Sequence, residues 1–168
     1  TSANVSVVEL NRLYETYLTT NFVRRGYPYN FTQDLNGDFI IRTLQGSENG
    51  DIEADYSWVH FSLSAPVLLK DQEIYVYGKF NNYELNEANR IYYNPALEIY
   101  EGVILLKQGI YNYKFVAKTP QSELYNAICG SHALTENRYL ILVYYRYFGN
   151  QHDSLIAMGE TSSFEIID

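Results

Sequence analysis

A chain of 168 residues is long enough for one compact domain with its own core, and 12 Lys and Arg against 20 Asp and Glu leave a net charge of −8. That balance supplies no concentrated basic surface for nucleic-acid phosphates or an anionic membrane. The longest apolar run, YLILVYYRYF from Tyr139, is strand length and well short of the ~20 residues of a spanning helix, so a soluble domain without membrane insertion is expected. The 18 Tyr and 8 Phe, broken by Gly and Asn, are the composition of an all-β protein. Thr1 is not an initiator Met and no signal-peptide pattern follows it, which points to a piece excised from something longer. The single Cys129 cannot form an internal disulfide and leaves the compartment open.

In chain order, the first thirty residues carry two patterns. Leu10, Leu13, Tyr14, Tyr17 and Leu18 fit a helical stripe, with Ser6 and Glu9 as a capping box. VSVV and YETYLTT are rich in β-branched and aromatic residues, and the neighbouring segments read as strand, so residues 1–34 are expected as an extended N-terminal arm. LNGDFIIR sets an Asn36-Gly37 turn before a short strand, and SENGD from Ser47 marks a polar loop. SWVHFSL places Val59, Phe61 and Leu63 on one face and Trp58 and His60 on the other, and EIYVYG places Ile74 and Val76 against Tyr75 and Tyr77. Further strands are expected at 100–106, 110–116 and 138–148, with a weaker one at 163–167. LKQG from Leu106 reads as a hairpin turn in which Gly109 takes a positive φ. Short strands at this spacing favour an immunoglobulin-like β-sandwich over residues 35–168 rather than a barrel.

Chemistry-bearing residues are sparse. His60 lies mid-strand beside Trp58 and reads as a half-buried, hydrogen-bonded ring. Cys129 and His132 have half of a zinc-ligand spacing, but no second pair with ligand spacing exists, so no metal is expected. His152 adjoins Asp153, yet no Ser or Cys sits in a nucleophile context. Asp51, Glu53 and Asp55 alternate as calcium ligands could, but Tyr56 and Ser62 occupy the loop positions that need Gly and Glu; a solvated acidic approach to a strand fits better. No catalysis and no cofactor are expected.

Two resemblances add to this reading. IYVYGKFNNY (74–83) through YKFV (113–116) resembles glycogen- and starch-binding modules, early-set immunoglobulin-like sandwiches in which two Trp and a Lys form a sugar-stacking platform. Here Tyr83 stands at the first Trp position, the Lys is Lys114, and no aromatic follows YKFV until Tyr125. The resemblance implies the fold and, as the alternative function, a glycan-binding site at Asn81, Asn82, Tyr83 and Lys114. A longer resemblance spans Leu35 to Gly159. EADYSWVHFSL, IYVYGKFNNY, YEGVILLKQGIYNYKFV and ENRYLILVYYRYFGNQHDSLIAMG, in that order, are similar to the type IX secretion system plug proteins of Bacteroidota. Family members usually carry Pro where this chain has Tyr147. What this resemblance implies is an extracytoplasmic, periplasmic protein with a further β domain upstream, which associates with an outer-membrane translocon and blocks its periplasmic opening.

The strands suit a protein-docking role. RYLILVYYRYF offers Tyr139, Ile141, Val143, Tyr145 and Tyr147 on one side and Leu140, Leu142, Tyr144 and Phe148 on the other; IYNYKFV sets Tyr111, Tyr113 and Phe115 opposite Ile110, Lys114 and Val116. Both faces are partly apolar. Either the arm or a further domain covers the second face, or Tyr111, Tyr113, Tyr139, Tyr145 and Tyr147 form a docking surface with Arg146 as a polar anchor.

Overall fold

The computed structural model describes residues 5–10, 13–28, 35–43, 49–65, 72–132, 135 and 137–163. Among the described residues it is all-β apart from one helical turn at Gly50–Glu53 and 3-10 turns at Lys79–Asn81 and Glu87–Asn89. The strands are β1 (Val5–Leu10), β2 (Leu13–Leu18), β3 (Asn21–Phe22), β4 (Phe39–Ile41), β5 (Tyr56–Ser64), β6 (Glu73–Tyr77), β7 (Arg90–Asn94), β8 (Ile99–Lys107), β9 (Gly109–Tyr111), β10 (Lys114–Lys118), β11 (Glu123–Leu124), β12 (Arg138–Tyr145) and β13 (Ser154–Ser162). The chain forms two compact units, Thr1–Ser131 and His132–Asp168.

In the first unit the strands pair in the order β1-β2-β5-β8-β7-β6-β10-β11, with β3 also on β5. The ladder turns a corner at β7. Arg90 and Ile91 pair with β6, whereas Tyr92, Tyr93 and Asn94 pair with β8. The two halves then face each other across the core. β5 and β8 contribute Phe61, Leu63 and Tyr100, β6 and β10 contribute Ile74, Val76, Phe115 and Ala117, and Ile91 sits at the corner. The alternation of SWVHFSL is the cause on one side: Phe61 and Leu63 point inward, while Trp58 is left outside. Each fully buried aliphatic chain contributes roughly 1.5–3 kcal/mol. Gly102 permits the corner, since a Cβ there would lie 2.6 Å from Ile91 Cγ2 and 3.0 Å from the Arg90 carbonyl oxygen. No closed barrel occurs among the described strands.

Residues 5–10, 13–18 and 21–22 form strands, as their β-branched and aromatic content implies. β1 pairs antiparallel with β2, and β2 and β3 each run parallel to β5. The Asn36-Gly37 turn is present, with φ of 51° and 81°.

Several expectations are corrected. LKQG is not a hairpin: β8 pairs with β5 and β7, while β9 pairs with β4. Gly109 is required by close approach rather than a positive φ, because a Cβ would meet the Ile40 carbonyl oxygen at 2.4 Å. The expected strand 110–116 is broken at Asn112 and Tyr113, where the chain moves from β9 to β10. β12 ends at Tyr145 rather than 148. Asp51, Glu53 and Asp55 are exposed just before β5, with Asp51 and Glu53 on the helical turn. The weak strand at 163–167 falls almost wholly outside the described residues; of the polar loop SENGD, Ser47 and Glu48 lie outside them, while Asn49 caps the helical turn that Gly50 and Asp51 begin.

The second unit is the antiparallel hairpin β12–β13. Its register passes from Val143↔Ala157 to Tyr144↔Leu155, leaving Ile156 as a bulged extra residue.

Candidate functional site

The FNNY phrase forms a tight turn after β6. Lys79–Asn81 is a 3-10 turn, and Asn82 and Tyr83 follow at φ 54° and 59°, a left-handed pair of the kind held only by surrounding bonds. Those bonds come from Asn81 and Asn89. Asn81 Nδ2 donates to the Val76 carbonyl at 2.9 Å while its Oδ1 accepts from Gly78 N–H at 3.2 Å. Asn89 Nδ2 donates to the carbonyls of Val76 and Glu84, both at 2.7 Å, and its Oδ1 accepts from Asn86 N–H at 2.9 Å. Asn81 is therefore occupied in holding the turn.

The turn delivers Tyr83 to an aromatic cluster. Its ring lies 5.2 Å from that of Tyr77, which in turn meets Tyr125 edge-on at 5.4 Å. Lys114, the cross-strand partner of Tyr77, places Nζ 5.7 Å from the Tyr77 ring and 5.6 Å from that of Tyr125. Partial burial, followed by the nearby Tyr83 and Glu123, raises the Tyr77 phenol. Tyr125 donates to the Glu123 carboxylate, and this bond first, with desolvation second, pushes its phenol up to about 12. Tyr83, Lys114 and Asn82 thus share a region. Tyr77 and Tyr125 complete it; nothing but its aromatic ring marks Tyr125 in the sequence, because the β10–β11 turn determines its position.

The proposed docking tyrosines divide between the units. Tyr111 is half-buried in the first unit, stacked on Phe39 at 5.5 Å and edge-on to Phe80 at 5.6 Å, and its hydroxyl donates to the Lys107 carbonyl at 2.7 Å. Burial pushes this phenol up to about 12. Tyr113 packs edge-on against Phe61 and Phe115, and its hydroxyl accepts from Asn21 Nδ2 at 3.0 Å. Both are packed into the fold.

Tyr139, Tyr145 and Tyr147 belong to the hairpin unit and are exposed, as are Leu140, Ile141, Leu142, Val143, Tyr144, Leu155, Ile156 and Met158. The hairpin presents apolar side chains from both of its faces. Its charges lie at the two ends. Arg146 grips Asp153 with two bonds, Nε to Oδ1 at 2.8 Å and Nη2 to Oδ2 at 3.2 Å, and Arg138 pairs with Glu160. Tyr145 and Tyr147 meet edge-on at 4.7 Å. Asp153 is thereby tied to an Arg rather than serving His152. Among the described residues no three His, Cys, Asp or Glu side chains are placed to hold a metal, and no helix is long and apolar enough to cross a membrane.

No protein-family model matches the chain, and no curated protein does. A solved structure does. The crystal structure of a hypothetical protein from Parabacteroides merdae ATCC 43184, at 2.30 Å resolution, is similar to this chain with a TM-score of 0.81 and 34% sequence identity. The similarity covers 95% of this chain and 40% of that one, so the chain spans well under half the length of its neighbour. The neighbour comes from a member of the Bacteroidota and shares the β-rich architecture.

Proposed function

We propose that this chain is a non-catalytic protein-binding part of a type IX secretion plug protein, associated with the outer-membrane translocon on its periplasmic side. The observation that carries the reading is the hairpin β12–β13, whose apolar residues stand exposed on both faces. A two-stranded hairpin is marginal by itself in water, and an apolar surface of this extent marks a place where another protein surface packs. Tyr139, Tyr145 and Tyr147 supply large contact area that tolerates water, and the Arg146–Asp153 clamp leaves a rigid polar rim. The resemblance over 35–159 names the partner, and similarity to a Bacteroidota protein supports its taxonomic side. The test is binding of purified, detergent-solubilised translocon to the immobilised chain, comparing wild type with Tyr139→Ala, Tyr145→Ala and Tyr147→Ala. The reading requires tight binding by wild type and at least about tenfold weakening in one variant without loss of folding.

A second reading is favoured by one specific arrangement, the Tyr77, Tyr83, Tyr125 and Lys114 cluster, which could stack a sugar ring. It requires maltoheptaose affinity by calorimetry that Tyr83→Ala abolishes. Asn81, committed to the turn, would contribute to such a site through the turn's shape.

A further inference from the structure

The outer face of the β2–β5–β8 ladder, in the first unit, carries a patterned surface of its own. Three rows of side chains cross it. Tyr56 stands opposite Lys107, Trp58 lies between Glu15 and Leu105, and His60 lies between Tyr17 and Val103. A fourth row adds Ser62 opposite Glu101. The inward residues of the same strands, Ser57, Phe61 and Leu63, are buried, so these rows face away from the core. Tyr17 and His60 stack at 4.1 Å and 16°, and Lys107 Nζ sits 5.5 Å from the Tyr56 ring, which flattens the surface.

Tyr17, Tyr56, Trp58, Val103 and Leu105 are each between 38% and 49% exposed. Together they leave on the order of 400 Å² of contiguous apolar surface, at the upper range of what a monomer leaves uncovered. Glu101 and Lys107 stand at the two ends of this face, and His60, 3.4 Å from the Glu15 carboxylate, lies between them.

The order of charges selects the occupant. Along β8 the outward residues read Glu101, Val103, Leu105, Lys107: negative, apolar, apolar, positive. A two-fold axis lying in the interface and crossing the strands between the Trp58 and His60 rows reverses this order in a second copy. Lys107 of one copy then meets Glu101 of the other, Leu105 meets Val103, and Trp58 meets the stacked His60. Each contact occurs twice, as an isologous interface demands. Within one copy Lys107 donates to the Asp51 carbonyl at 2.5 Å and Glu101 accepts from Asn94 at 2.8 Å, so both charges are held in place at the rim. We infer that the chain pairs with a second copy of itself through the outer face of β2, β5 and β8, by aligned sheet-on-sheet packing. The inference is independent of the hairpin and of the translocon.

Sedimentation velocity of the full chain across a concentration series tests it, with far-UV circular dichroism to confirm folding. The expected result is a reversible dimer whose Kd rises at least tenfold in Lys107→Glu and in Glu101→Lys, and returns toward wild type when the two changes are combined. Leu105→Asp, at the centre, should abolish association. A chain monomeric at every concentration overturns the inference. So does a dimer indifferent to the single reversals, one that the exchange fails to rescue, or one dissolved instead by Leu142→Asp in β12.

Discussion

Val76 lies in β6 just before the FNNY turn, and its carbonyl oxygen accepts from two asparagines, Asn81 at 2.9 Å and Asn89 at 2.7 Å. Asn89 is 2% exposed and makes three bonds through its side chain. Asn89→Ala removes all three. The Val76 carbonyl keeps Asn81 as a partner, whereas the Glu84 carbonyl and Asn86 N–H each lose one bond, so at about 1 kcal/mol per bond the loss should be roughly 2–4 kcal/mol. Asn81→Ala removes two bonds at a less buried position and should cost about 1–2 kcal/mol. In the double variant the buried Val76 carbonyl loses both donors, an outcome neither single change produces. The combined loss should therefore exceed the sum by about 1 kcal/mol. The sole tryptophan, Trp58 on β5, allows urea unfolding of the first unit to be followed by fluorescence in all four proteins. A loss below about 1 kcal/mol for Asn89→Ala, or strict additivity in the pair, would refute the assignment of these asparagines as the ties of the FNNY turn.

Four other outcomes are expected. Gly109→Ala and Gly102→Ala should each destabilise by about 1–3 kcal/mol, because the added methyl meets the Ile40 carbonyl oxygen at 2.4 Å or Ile91 Cγ2 at 2.6 Å; stability within about 0.5 kcal/mol of wild type would show that these strands separate readily. Burial raises the Tyr75 and Tyr111 phenols from 10.0 to about 12. Stability due to the neutral phenols is thus complete below pH 10 and lost as pH climbs toward 12. Tyr125, held by Glu123, is raised to about 12 as well, so alkaline difference spectroscopy should find at least three late-ionising tyrosines, and the Tyr111→Phe variant should lack one of them. Melting temperature should be the same with EDTA, zinc or calcium, and a rise of several degrees with either metal would reveal a site among Asp51, Glu53, Asp55, Cys129 and His132.

The sequence made the core legible where alternation was strict. In 57–63 a period of two assigned Phe61 and Leu63 to the interior and Trp58 to the exterior, and burial follows that order. It failed where spacing within the chain did not determine partners. Gly109 between two strand-like runs looks the same in a hairpin and in a crossover, and only the pairing of β9 with distant β4 distinguishes them. The parallel pairing of β2 with β5 is likewise non-local. IYNYKFV alternates well enough to read as one strand, yet Phe115, Val116 and Ala117 are all buried, a pattern that appears only when both sides of β10 are covered. β13 was not foreseen because LIAMG neither alternates nor contains the aromatics that marked the other strands. Of the candidate site residues, Tyr83 and Lys114 were legible through the resemblance, whereas the burial of Tyr111 and Tyr113 depended on Phe39, Phe80 and Phe61 arriving from elsewhere.

The proposal that the hairpin docks on the translocon is tested most directly by site-specific photo-crosslinking in intact outer membranes. A photoreactive side chain is placed at Tyr145 on β12, at Tyr83 in the aromatic cluster, or at the exposed Leu97 in the turn between β7 and β8. The account predicts a crosslink to the translocon from Tyr145 that is absent from Leu97 and weak from Tyr83. A crosslink from Tyr83 or Leu97 with none from Tyr145, or no translocon product from any of the three, would contradict it.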